Sequence, residues 1–155
     1  DRFMLKVVVD YPTAAEERKV VDVALDGLRR EVHPVLSPEV LADMKQTAAT
    51  IYLDDKVKDY VLDIVSATRH PEKFKLKELK NLIEYGASPR ASINLCLAAR
   101  AHAFLVGRAY VTPQDVKDVA LDILRHRVLL TYEAEAEETT SDDVIRKVLE
   151  SVPVP

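Results

Sequence analysis

From residue 13 onward the apolar positions recur at helical spacing, and most runs open with a residue that caps a helix. Thr13-Ala14-Ala15-Glu16 has the form of a capping box, in which a hydroxyl and a carboxylate satisfy amides that the first helical turn leaves free. Val20, Val21, Ala24, Leu25 and Leu28 form the stripe behind it. Ser37-Pro38 predicts a second helix, with proline where a missing amide costs nothing and Val40, Leu41, Met44 and Ala48 on one face. Asp54 or Asp55 opens a third, striped by Val57, Tyr60, Val61, Ile64 and Val65 and stopped at Arg69-His70-Pro71. Ser88-Pro89 opens the most apolar segment, which runs to about Val106 and ends at Gly107, a residue free to take a left-handed backbone. Apolar on most faces, this helix is expected at the centre of the fold. Thr112-Pro113-Gln114-Asp115 repeats the start signal ahead of Val116, Val119, Ala120, Ile123 and Leu124. A last helix near Ser141 turns Val144, Ile145, Val148 and Leu149 inward.

Phe3, Met4, Leu5, Val7, Val8 and Val9 break this rhythm, since a nearly continuous apolar run is how a strand buried on both faces of a parallel sheet reads. Such a strand needs neighbours, and the other β-like stretch, Val128 to Tyr132, is short. The expected fold is therefore mainly α: a helical bundle with an orphan strand at its N-terminus and one other short strand. Hydrophobic alternation is uneven around Lys73, Lys75, Lys77 and Lys80, which leaves the structure there open. Glu133, Glu135, Glu137 and Glu138 read as a solvated linker, and Val152-Pro153-Val154-Pro155 as a fraying tail.

A hydrophobic content of 48% in 155 residues is enough to bury a core. The net charge of -4 repels nucleic acid and anionic membrane, so any anion site must be local, and the four lysines read as a solvated face. Cys96 cannot form an internal disulfide and sits among Ile93, Leu95, Leu97, Ala98 and Ala99, where it reads as a small buried hydrophobe. No stretch approaches a membrane span and no signal-peptide order opens the chain, so the reducing cytoplasm is the expected compartment. Starting at Asp1-Arg2-Phe3 without an initiator methionine, the sequence reads as cut from a larger protein.

Catalytic constellations are mostly missing from the pattern. With Gly27, Gly86 and Gly107 as its three glycines the chain has no phosphate-cradling loop, so the fragment is not expected to bind ATP tightly alone. His33, His70, His102 and His126 form no helical pair with one another or with Cys96, which argues against a metal site. Arg90 resists this bland reading. It follows the expected cap Ser88 by two residues, at the positive end of a helix dipole, where a guanidinium adds donors suited to a phosphate or carboxylate.

Tyr85-Gly86-Ala87-Ser88-Pro89-Arg90-Ala91 resembles the GASPRA signature of the MoxR family of AAA+ ATPases. Gly107-Arg108-Ala109-Tyr110-Val111-Thr112-Pro113-Gln114-Asp115-Val116 resembles the family's GRxYVTPxDV segment, and Leu124-Arg125-His126-Arg127 its LRHR turn. Asp1-Arg2-Phe3, with Tyr11-Pro12 downstream, is similar to the LDRF junction that ends the ATPase core. The resemblance implies residues 1–12 as the last core strand and junction, 13–36 as a connecting helix, 37–151 as the helical lid and 152–155 as a tail. It implies ATP and magnesium in the parent protein and none bound to this fragment. Arg90 matches the sensor-2 arginine, which reaches the phosphates bound by its own subunit. Arg2 matches an arginine finger, catalytic in trans on the neighbouring subunit of a ring, expected to be a hexamer. The implied activity is chaperone-like remodelling or maturation of clients, often with von Willebrand factor A-domain partners; the lysine-rich stretch departs from the neutral segment of the family.

Two rivals stand beside this reading. A self-contained helical interaction module would pair residues 3–9 within the chain and tie Arg90 into a local ion pair, with Glu84 the nearest candidate. A lid from the magnesium-chelatase branch of AAA+ proteins would keep the fold and the arginine roles but change the client.

Overall fold

Capping chemistry sets most of the helix starts. In the computed structural model, which describes residues 2–27 and 32–155, Thr13 and Glu16 close the capping box of α1 (Ala14–Leu25). Ser37 accepts from the Val40 amide at the head of α2 (Pro38–Thr50). Asp54, rather than Asp55, caps α3 (Asp55–Arg69). After 3₁₀ turns at Pro71–Phe74 and Lys77–Leu79 come β1 (Ile83–Tyr85), α4 (Pro89–Leu105), α5 (Pro113–Leu124), β2 (Leu129–Leu130), α6 (Tyr132–Ala136) and α7 (Ser141–Ser151). Thr112 with Asp115 at α5 and Thr140 with Asp143 at α7 form further capping boxes. Leu28 and Asp1 lie outside the described residues.

The fold is mainly α, and its core begins at Ile51. α3, α4, α5 and α7 pack around Tyr60, Val61, Ile64, Leu95, Val116, Ile123, Val144 and Ile145, all buried. Each such Leu, Ile or Val contributes roughly 1.5–3 kcal/mol on burial. α4 turns Ala91, Ala98, Ala99 and Ala103 inward with Leu95, and these small side chains let α5 approach closely. β1 and β2 pair antiparallel, Ile83 with Leu130 and Tyr85 with Leu129.

Several expectations change. Residues 3–9 form no strand, because a strand exists only through its ladder and no partner strand lies beside them among the described residues. They run exposed, with Phe3 81% and Val9 87% accessible. This unpaired state is the one the interaction-module reading did not expect. α4 is not an enclosed central helix: Ile93, Leu97 and Leu105 are exposed, and a groove of about 400 Å³ between α3 and α4 is lined by Leu53, Leu62, Ile93, Cys96 and Leu97. The acidic run is not a plain linker, since Thr131 caps the short helix α6 across Glu133 and Glu135. Val152 is buried against the bundle, so the tail is anchored at its first residue.

Two polar devices hold the frame that positions α4. One closes the α4–α5 connection. Gly107 takes φ +75°, the Arg108 amide reaches back to the Ala103 carbonyl at 2.8 Å, and the Arg108 guanidinium grips the fully buried carboxylate of Asp115 with both terminal nitrogens. Asp115 also accepts from the Thr112 amide and hydroxyl at 2.7 Å each and lies 2.7 Å from His102 Nδ1. Burial pushes this carboxyl up, but the donors outweigh it and hold it well below the usual carboxylate range. The second device is the seam between the end of α3 and the turn before α4. The buried Thr68 hydroxyl donates to Val65 and accepts from the Ala87 amide at 3.0 Å, while Arg69 Nε donates to the Ala87 carbonyl at 2.5 Å. Gly86 lies so close that a Cβ there would sit 2.4 Å from the Thr68 carbonyl oxygen.

Two stability measurements follow from these devices. Asp115→Asn should lower unfolding stability by about 3 kcal/mol, because Arg108 and His102 lose the charge they enclose. The pH dependence has a definite sign. A carboxyl depressed on folding stabilises above its unfolded pKa of about 4 and loses that contribution as pH falls toward its folded value, so thermal melts of the parent sequence should decline below about pH 4 more steeply than those of Asp115→Asn. Gly86→Ala should cost about 1–3 kcal/mol in denaturant unfolding, since backbone and not a yielding side chain opposes the new methyl group.

Candidate functional site

The seam determines where the second residue of α4 points. With Ala87 fully buried and both of its backbone groups bonded to Thr68 and Arg69, Ser88 and Pro89 start the helix in a fixed direction. Arg90 stands exposed on the first turn. It makes no ion pair or hydrogen bond with the described residues, and Glu84, also exposed, does not pair with it. That first turn carries no acidic side chain. The positive end of the helix and the guanidinium therefore add their potentials, with no acidic side chain in that turn.

Arg127, 5% exposed, comes from the turn after α5. Burial pushes its pKa down, and the charge of Arg90 pushes in the same direction. Among the described residues Arg127 donates to backbone: Nη1 reaches the Ile123 carbonyl at 2.5 Å and the Met4 carbonyl at 3.1 Å, and Nη2 the Phe3 carbonyl at 2.5 Å.

The same turn grips the N-terminal segment at further points. His126 Nε2 donates to the Phe3 carbonyl at 3.1 Å, and burial lowers the imidazole pKa, favouring the neutral ring. Arg125 Nη1 donates to the Lys6 carbonyl at 3.0 Å while its other nitrogens hold Asp142, and the Lys6 amide donates to the Asp122 carbonyl at 2.8 Å. Arg2, the residue just before Phe3, is exposed and makes no hydrogen bond or ion pair with the described residues. Thus both arginines singled out in the sequence are accessible, and Arg2 adjoins the residue that the turn 125–127 grips.

The roles of Arg125, His126 and Arg127 were missed in the sequence. They appear there only as part of a resemblance, and no local pattern says that a buried guanidinium will cap carbonyls more than a hundred residues away. Arg108 and Asp115 had a partial signal, since Thr112 and Asp115 have capping-box spacing. The histidines are dispersed: His102 bonds Asp115, His126 bonds Phe3, and His70 lies 3.8 Å from Glu72. The Cys96 thiol is pushed up by burial, which disfavours the reactive thiolate. No helix among the described residues is long and apolar enough to cross a membrane.

Comparison with known proteins places this geometry. Residues 77–148 match the AAA lid domain. Over its whole length the chain is 40% identical to Chaperone MoxR1 of Mycobacterium tuberculosis, of which it covers 41%, and 30% identical to Protein MoxR of Paracoccus denitrificans, of which it covers 49%. A crystal structure of a candidate ATPase from Cytophaga hutchinsonii superposes with a TM-score of 0.93 at 35% identity, covering 99% of this chain and 47% of that one. The chain thus spans about half the length, or somewhat less, of the proteins it matches. From the lid match, the likeness along the entire chain and the motifs standing in register, the chain belongs to the MoxR family of AAA+ proteins and carries the lid.

Proposed function

We propose that this chain serves as the lid of a ring-forming ATPase, with Arg90 contacting the terminal phosphates of ATP bound by its own subunit. The observation that carries this reading is an exposed guanidinium on the first turn of α4, with no acidic residue in that turn. Such a locus fits a polyphosphate and fits no carboxylate of the described residues. Magnesium-bound ATP, when present, supplies the hydrolysable phosphoanhydride and a neutralising cation. What this chain contributes is position and charge. Arg90 binds and offsets phosphate charge, and its rigid mounting on the seam turns that contact into an orientation of the whole lid.

Arg2 acts on the neighbouring subunit, as a finger exposed at the junction between lid and core. Residues 37–151 form the lid, 13–36 the connecting helix and 1–12 the junction, where the exposed apolar run 3–9 joins the sheet of the nucleotide-binding core. α1 and α2 bury no residue against the bundle, which supports a covering surface outside this chain. The ring is a hexamer in the cytoplasm, its work is chaperone-like remodelling, and von Willebrand factor A-domain proteins are its partners; the printed name of the Mycobacterium relative supports the chaperone role.

In the full-length protein, Arg90→Ala should lower ATP turnover about tenfold or more while the melting temperature stays within about 2 °C, and Arg90→Lys should restore little, because an ammonium cannot form the bidentate contact. Unchanged turnover would reject the phosphate contact. Arg2→Ala should lose turnover in the assembled ring, and a neighbour that keeps its arginine should restore it.

A further inference from the structure

Arg127 is the pivot of the turn after α5. It is almost fully buried, yet its guanidinium packs between the α5 carbonyl of Ile123 and the carbonyls of Phe3 and Met4. Phe3 receives a further donor from His126, and Lys6 is bonded in both directions, by Arg125 and to Asp122. Residues 3–6 would otherwise be an exposed strip without secondary structure. Charge-assisted hydrogen bonds to backbone carbonyls fix the path of main chain, and main chain fixed at Phe3 fixes the direction in which Arg2 leaves it. The clamp itself belongs to the lid, because α5 and α7 hold it from below through Asp122 and Asp142.

We infer that Arg125, His126 and Arg127 form a positioning clamp through which the lid of one subunit aims Arg2 at the nucleotide of the next. The clamp residues touch no substrate. They couple the orientation of the lid to the placement of a guanidinium used in the adjacent site. The inference rests on the reading of Arg2 and Arg90 given above, and it adds a direction: lid orientation in one subunit reaches its neighbour through Phe3.

Mixed rings of the full-length protein test this. Rings made from Arg90→Ala and Arg2→Ala subunits should regain ATP turnover, because the first kind donates an intact Arg2 to the intact phosphate site of the second. Arg127→Gln added to the donating Arg90→Ala subunit should cut that rescue at least about tenfold, against a finger worth about a thousandfold or more. In the donating subunit His126→Ala, which removes a single bond to Phe3, should lower the rescue several-fold, and it decides the matter if Arg127→Gln subunits fail to assemble. His126→Ala in the Arg2→Ala subunit, which has no finger to aim, should leave the rescue within about twofold. Equal loss in both placements would mean that the turn merely supports the lid, and rescue undiminished in the donor placement would mean that it does not aim Arg2; either result overturns the inference. A starting pair that shows no rescue overturns instead the reading of Arg2 and Arg90 on which the inference stands.

Discussion

The contact between the end of α3 and residues 86–87 governs the rest of the arrangement. Backbone meets backbone there with no room for a Cβ at Gly86, and the Thr68 hydroxyl and Arg69 Nε hold the amide and carbonyl of Ala87. A close approach of this kind tolerates little adjustment, since the interior is packed and the opposing atoms are main chain. α4 therefore leaves the seam in one direction, and Arg90 leaves α4 in one direction. The four inward alanines of α4 extend the same constraint along the helix by bringing α5 close, and Arg108 with Asp115 locks the connection at the far end.

Polar groups inside this small domain bind structure together at its loops, and apolar groups fill the middle. Asp115 is wholly buried and charged, yet every donor that faces it is accounted for by Arg108, Thr112 and His102. Arg127 is its counterpart of opposite sign, satisfied by carbonyls. The first is local in sequence and the second spans more than a hundred residues, in a fold whose other contacts are largely helix against helix. In the first, one loop is tied to one helix; in the second, the lid is tied to the segment leading into it.

Local rules were sufficient wherever structure is local. The capping residues Thr13, Ser37 and Asp54, the proline starts at residues 38, 89 and 113, and the stripe Val57, Tyr60, Val61, Ile64 and Val65 are where their patterns put them. Gly107 takes the left-handed backbone that its place after the helix required. Patterns misled where burial depends on what lies opposite. Among the described residues the run 3–9 has the composition of a strand but no partner strand to make it one, and the stripe of α1 remains accessible, whereas α2 rests on α4 with Met44 and Ala48 half-buried and Val40 and Leu41 exposed. α4 is apolar all round although one flank faces an open groove, because hydrophobicity records what a surface can bury and not what covers it. At the candidate site, Arg90 was legible from its place beside a helix start. The seam that directs it, and the clamp beside Arg2, join residues far apart in the chain and left no periodic trace.

The central claim is that Arg90 is held outward to meet a phosphate. A structure of the full-length protein with magnesium and a non-hydrolysable ATP analogue measures this directly. The account predicts the Arg90 guanidinium within hydrogen-bond distance of the terminal phosphate oxygens, with the Thr68–Ala87 and Arg69–Ala87 bonds unchanged. An Arg90 side chain left in solvent or paired with a carboxylate while the analogue is bound would contradict it.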